Sequence, residues 1–197
     1  MRNQVKRLSA VAAILLALVA GACSESNPVQ PLAPSDESSE SLSLADDLRA
    51  IASGRPIDRA WHAEQVIGPE GGFIYVDLHH LYVPRGAVSG PTKFTIDLSQ
   101  SIVGAELTAT SVDSRGRPTG RTNNVGSRGF KVPVYLTFSY NHAYDVPLNP
   151  FKIKVVEIRD GKLIPQATQV NPLFETATGV LSHFSDYGLA WPTRNTR

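Results

Sequence analysis

Val66-Ile67-Gly68-Pro69-Glu70-Gly71-Gly72-Phe73-Ile74-Tyr75-Val76-Asp77-Leu78-His79-His80-Leu81-Tyr82-Val83-Pro84-Arg85-Gly86-Ala87-Val88 is the stretch on which the reading of the fold turns. Two β-rich runs, residues 73–77 and 80–83, are joined over Leu78 and His79. Gly68-Pro69-Glu70-Gly71-Gly72 opens the hairpin, and Pro84-Arg85-Gly86-Ala87 closes it. Glycine permits backbone geometry closed to other residues, and proline fixes its own dihedral where the chain leaves a strand.

Working outward, the same period of two recurs. Phe94, Ile96 and Leu98 alternate with Lys93, Thr95 and Asp97, which gives one apolar and one wet face. Phe130, Val132, Val134, Leu136 and Phe138 form the longest such run, with Pro133 marking an edge strand or an unpaired position in an inner one. Phe151, Ile153 and Val155 alternate with Lys152 and Lys154, and Asp160-Gly161 predicts a tight hairpin into residues 162–166. Thr178-Gly179 predicts a second hairpin, and Tyr187, Leu189 and Trp191 a last strand. Residues 113–129 have no apolar period and read as a long loop. Short strands punctuated by Gly and Pro, with no helical period between them, predict an all-β antiparallel β-sandwich over residues 61–191, followed by a tail at 192–197.

Upstream, Arg2, Lys6 and Arg7 precede an apolar run over residues 8–20. This is the layout of a signal peptide, and the run falls short of the roughly 20 apolar residues that a membrane span needs. Leu18-Val19-Ala20-Gly21-Ala22-Cys23 resembles the lipobox of bacterial lipoproteins, with Ala20 where a larger aliphatic residue is common. The resemblance implies a signal peptide over residues 1–22 and a lipid anchor on Cys23. Cys23 is the one cysteine of the chain, so no intramolecular disulfide or thiolate cluster can form. Ser24, in place of the aspartate that retains such proteins at the inner membrane, implies the outer membrane if the source has two. Loss of Arg2, Lys6 and Arg7 takes the formal charge from +1 to −2, which argues against nucleic acid as a partner.

Residues 23–60 read as a flexible, disordered linker rich in Ser, Pro and acidic residues. Within it Leu44, Leu48, Ile51 and Ala52, with Ser43 and Asp46 as a capping box, predict a short helix over residues 42–52. Such a helix is a docking element, a juxtamembrane amphipath, or a transient helix in the linker.

The hairpin stretch, followed by Pro91-Thr92-Lys93-Phe94-Thr95-Ile96 and, near the end, His183-Phe184-Ser185-Asp186-Tyr187, resembles the ZU-five domain, a β-sandwich module of ankyrins and netrin receptors. The resemblance implies a ZU-five-like sandwich, and it implies fold more firmly than activity. In some members the His-Phe-Ser tripeptide is self-cleaved. Here that implies autoproteolysis between Phe184 and Ser185, with the Ser185 hydroxyl attacking the Phe184 carbonyl and His183 taking the proton. The structural alternative has Phe184 packed inward and His183 and Ser185 satisfying polar groups on a terminal strand.

Other candidates carry less chemistry. Asp77, His79 and His80 are metal-ligating types, but adjacent histidines point apart in extended chain, and no second cluster completes a shell, so neither metal nor cofactor is expected. Tyr135, Tyr140, Tyr144 and Trp191 are candidates for a glycan-stacking platform, against ordinary strand packing. The expectation is a lipid-anchored cell-envelope protein whose sandwich is a non-catalytic protein-interaction or assembly module. Self-cleavage and glycan binding are the alternatives.

Overall fold

Strand after strand of this chain shows the alternation of an apolar and a wet face, and two antiparallel sheets pack by burying those apolar faces. The structure is a computed structural model and describes residues 47–56, 58–119 and 129–193. Its strands are β1 (Leu48–Ala50), β2 (His62–Ile67), β3 (Gly72–Val76), β4 (His79–Val83), β5 (Thr92–Leu98), β6 (Gly104–Ser111), β7 (Val134–Ser139), β8 (Lys154–Arg159), β9 (Lys162–Pro165), β10 (Thr168–Asn171), β11 (Thr176–Leu181) and β12 (Asp186–Pro192). One sheet is seven-stranded, in the order β2-β5-β6-β12-β8-β9 with β1 added to β12; the other is five-stranded, in the order β10-β11-β7-β4-β3. The all-β antiparallel sandwich read from the sequence is therefore the observed architecture.

Inward residues of β5, β6, β8 and β12, among them Phe94, Ile96, Leu107, Val155 and Leu189, meet Ile74, Leu81, Leu136, Phe138 and Leu181 from the facing sheet. The two halves of the hairpin motif are tied by the chain itself, since the Gly86 amide donates to the Pro69 carbonyl at 2.8 Å. Gly71 sits at φ +80, where a side chain would also meet the Val83 carbonyl. The reading of 160–161 holds: Asp160 (φ 51) and Gly161 (φ 75) are both left-handed, as a primed two-residue turn between β8 and β9 requires.

Several sequence expectations need correction. Residues 48–52 are not helical. Leu48–Ala50 pairs with β12, Leu48 opposite Pro192 and Ala50 opposite Ala190. It takes the side of β12 that β6 leaves after Gly188, and Ile51 beside it is fully buried. A short isolated helix is marginal, whereas an open strand flank offers paired backbone and a core position. The rest of the proposed helix, 42–46, lies outside the described residues. The sandwich accordingly begins near residue 48, inside the stretch read as linker, and not at residue 61.

The turn of the hairpin motif is Asp77-Leu78, one residue early, because Asp77 tolerates the left-handed conformation (φ 53). Thr178-Gly179 is mid-strand in β11; the turn lies between Asn171 and Thr176. Gly179 is there for space, since a Cβ would come within 2.6 Å of Val155 in the opposite sheet. Phe151 lies in a 3-10 turn, Pro150–Lys152, capped by Asn149, and not in a strand. β7 starts after Pro133 and is the central strand of its sheet, so proline stands just outside an inner ladder. Of the long loop, 113–119 form a tight turn around the Asp113 carboxylate, with Thr119 donating to Ser111; 120–128 lie outside the described residues.

Candidate functional site

Pairing of β3 with β4, and of β4 with β7, puts Phe73 opposite Tyr82 and Tyr82 opposite Tyr135. All three point away from the core because their neighbours Ile74, Leu81, Val83 and Leu136 point into it. The result is a ladder of stacked rings on the outer face of the five-stranded sheet: Phe73–Tyr82 at 4.6 Å, Phe73–Tyr75 at 5.8 Å and Tyr82–Tyr135 at 6.0 Å between centroids. His80 leans on Tyr75 at 5.4 Å. Tyr75 is 62% exposed and Phe73 44%, large values for aromatic residues in a sheet.

The rest of that face is uncharged and, apart from Val180 and Phe174, polar. Thr137 and Thr178 share a hydrogen bond of 2.9 Å, and with His80, Gln169, Asn171 and Phe174 they line an open hollow of about 350 Å³. Outward positions of β3, β4, β7, β11 and β10 carry no Lys, Arg, Asp or Glu. Partial burial lowers the pKa of His80, which favours the neutral ring.

His79 and His80 do point apart. His79 is buried, accepts a hydrogen bond from the Ser139 amide on Nδ1 (3.1 Å), and lies edge-on to Phe138. Desolvation, reinforced by the charge of Arg55, lowers its pKa to about 4. Asp77 is committed to Arg55 at 2.9 Å. Among the described residues no three His, Cys, Asp or Glu side chains converge as a metal site would need.

At the other end of the domain, Phe184 is wedged edge-on between Phe94 (5.7 Å) and Phe130 (4.8 Å). The His183 ring donates from Nε2 to Glu157 (3.1 Å) and bonds Ser182 through Nδ1 (3.2 Å), while the Arg159 guanidinium, also on Glu157, lies 3.4 Å from the same Nε2. None of them goes to Ser185, whose carbonyl accepts from the Leu107 amide. Tyr187 donates its hydroxyl to the His183 carbonyl at 2.8 Å. Burial works to raise the Glu157 carboxyl, but hydrogen bonds from His183 and Arg159 outweigh it and hold the pKa below the usual value. Burial, with the Glu157 charge, pushes the Tyr187 phenol well up. Cys23 lies outside the described residues.

The aromatic residues singled out from the sequence do not form one platform. Tyr135 belongs to the ladder; Tyr140 is buried; Tyr144 is exposed in the loop after β7; Trp191 lies on the seven-stranded sheet. Phe73, Tyr75 and Tyr82 are the residues that sequence reasoning missed. Their signal was available in the register of the hairpin, which sets Phe73 against Tyr82. No protein-family model matches the chain, and no curated protein matches it.

Proposed function

We propose that this chain is a lipid-anchored cell-envelope protein, acylated at Cys23, whose ZU-five-like sandwich is a non-catalytic interaction or assembly module. Its contact surface is the outer face of the five-stranded sheet. The observation that carries this reading is the exposed ring ladder of Phe73, Tyr75, Tyr82 and Tyr135 on a face without charged side chains. The centres of protein interfaces are enriched in aromatic residues and depleted of Lys, Glu and Asp. Rings already stacked on one another lose little further freedom when a partner covers them. The ZU-five likeness is supported by the structural roles of its motif residues, Gly71 at φ +80 and Gly86 bonded to Pro69. The non-catalytic assignment is supported by the commitment of the His183 ring to Glu157.

Retention of an envelope protein by the full chain, lost in Tyr82→Ala and Tyr135→Ala, tests the surface. Equal retention by all three sinks it. Fatty-acid incorporation that survives Cys23→Ala sinks the anchor.

Glycan binding is the second reading. It is favoured by the hollow beside the rings, where the Gln169 and Asn171 amides and the Thr137 and Thr178 hydroxyls can match sugar hydroxyls. Peptidoglycan or surface polysaccharide that retains the wild-type chain, but not Gln169→Ala, would favour it.

A further inference from the structure

An edge strand offers a row of unpaired backbone groups, and proteins guard such edges with charge, proline or short length. Three of the four edges at the ends of the two sheets are guarded. β2 carries His62 and Glu64, β9 carries Lys162 and Pro165, and β10 is a four-residue strand followed by Pro172. The fourth edge, β3, is Gly-Phe-Ile-Tyr-Val, with neither charge nor proline.

Among the described residues β3 pairs with β4 alone. The two-residue turn makes Val76 and His79 the closing hydrogen-bonded pair. Ile74 and Gly72 therefore bond to β4 as Val76 does, and the N–H and C=O groups of Phe73 and Tyr75 face the open edge. The same two residues supply the most exposed rings of the ladder.

We infer that two copies of this chain join along β3, antiparallel about Ile74, so that their five-stranded sheets merge into one. This rests on the reading of the domain as an interaction module and names its partner as a second copy of the chain. Only this register sets Phe73 against the partner's Tyr75, and Tyr75 against the partner's Phe73, so that both open pairs bond at once. A register one pair longer or shorter keeps a single self-facing pair. Gly72 then lies opposite the partner's Val76 and Gly71 opposite the partner's Asp77, where the absence of side chains leaves room for the hairpin tip. A twofold interface brings each residue near its own copy, so charged residues at its centre would repel. This edge has none. The ladder runs on across the joint, with Phe73, already stacked on Tyr82 at 4.6 Å, beside a second set of rings. Lipid anchors hold the copies on one surface and raise their effective concentration.

Sedimentation of the full chain in detergent tests the inference, with the molar mass of the protein component as the readout. Wild type is expected as a dimer, and Tyr75→Lys, which places a charge on an exposed position of the edge, as a monomer with an unchanged circular-dichroism spectrum. Phe73→Lys is the second edge variant and has the same expected outcome. Glu64→Lys, on the guarded edge of the other sheet, is expected to stay dimeric. A wild-type monomer throughout the micromolar range overturns self-pairing, as does a dimer that both β3 variants leave intact. A monomer that still retains another envelope protein overturns self-pairing while the interaction reading stands. A dimer lost only in the β3 variants supports self-pairing even where no other protein is retained.

Discussion

Arg55 and Asp77 form an ion pair of 2.9 Å with side chains only 4% and 8% exposed, fastening the segment before β2 to the tip of the β3–β4 hairpin. The Arg55 guanidinium also lies over the Trp61 ring at 4.4 Å and donates to the Ala60 carbonyl. Asp77→Ala leaves this buried cation without its counter-charge. We expect a loss of about 3 kcal/mol, within the range for breaking one side of a buried pair. Urea unfolding measures it; a change below about 0.5 kcal/mol, typical of exposed pairs, contradicts the buried assignment.

His79 predicts how stability responds to acid. Its pKa falls from 6.5 in the unfolded chain to about 4 in the fold. Between those values the unfolded chain binds a proton that the folded chain refuses, so stability is complete above pH 6.5 and declines as pH falls towards 4. The decline amounts to about 3 kcal/mol. Glu157, held below its ordinary pKa, adds a further loss of the same sign at more acid pH, as protonation ends its bonds to His183 and Arg159. His79→Gln removes the first step. Identical pH profiles of unfolding free energy for wild type and His79→Gln between pH 4 and 6.5 count against the account.

Gly179 faces Val155 across the two sheets, a would-be Cβ lying 2.6 Å from a Val155 methyl carbon. Gly179→Ala should cost about 1–3 kcal/mol through overpacking. Gly179→Ala combined with Val155→Ala should recover part of that loss. A stabilising Gly179→Ala shows the sheets further apart than described.

His183, Phe184 and Ser185 are expected to stay in one uninterrupted chain, with the His183 ring on Glu157 and Phe184 packed on Phe94 and Phe130. Intact-mass measurement of the purified protein should give a single species with no break after Phe184. A split species that disappears in Ser185→Ala would establish self-cleavage instead.

The sandwich was legible because its strands obey a period of two, most plainly in β5, where Phe94, Ile96 and Leu98 all point inward. Local turn chemistry was legible at Asp160-Gly161 and misleading at Thr178-Gly179. The sequence cannot tell a glycine that supplies a left-handed turn from one that gives way to a valine in another sheet. β1 was misread because Leu48, Ile51 and Ala52 fit a helical stripe, while the strand they join, β12, lies some 140 residues away. The aromatic face was half legible. Tyr135 was singled out, but Phe73, Tyr75 and Tyr82 become one surface only when register brings three strands side by side.

The central claim, that the ring ladder is the contact surface, is tested most directly by footprinting exposed tyrosines in native envelope membranes and in the purified chain held dilute. Tyr75, Tyr82 and Tyr135 should be modified in the dilute chain and protected in the envelope. Tyr144, 64% exposed in the loop after β7, should be modified equally in both. Equal modification of the three ladder tyrosines in the two settings would contradict the account.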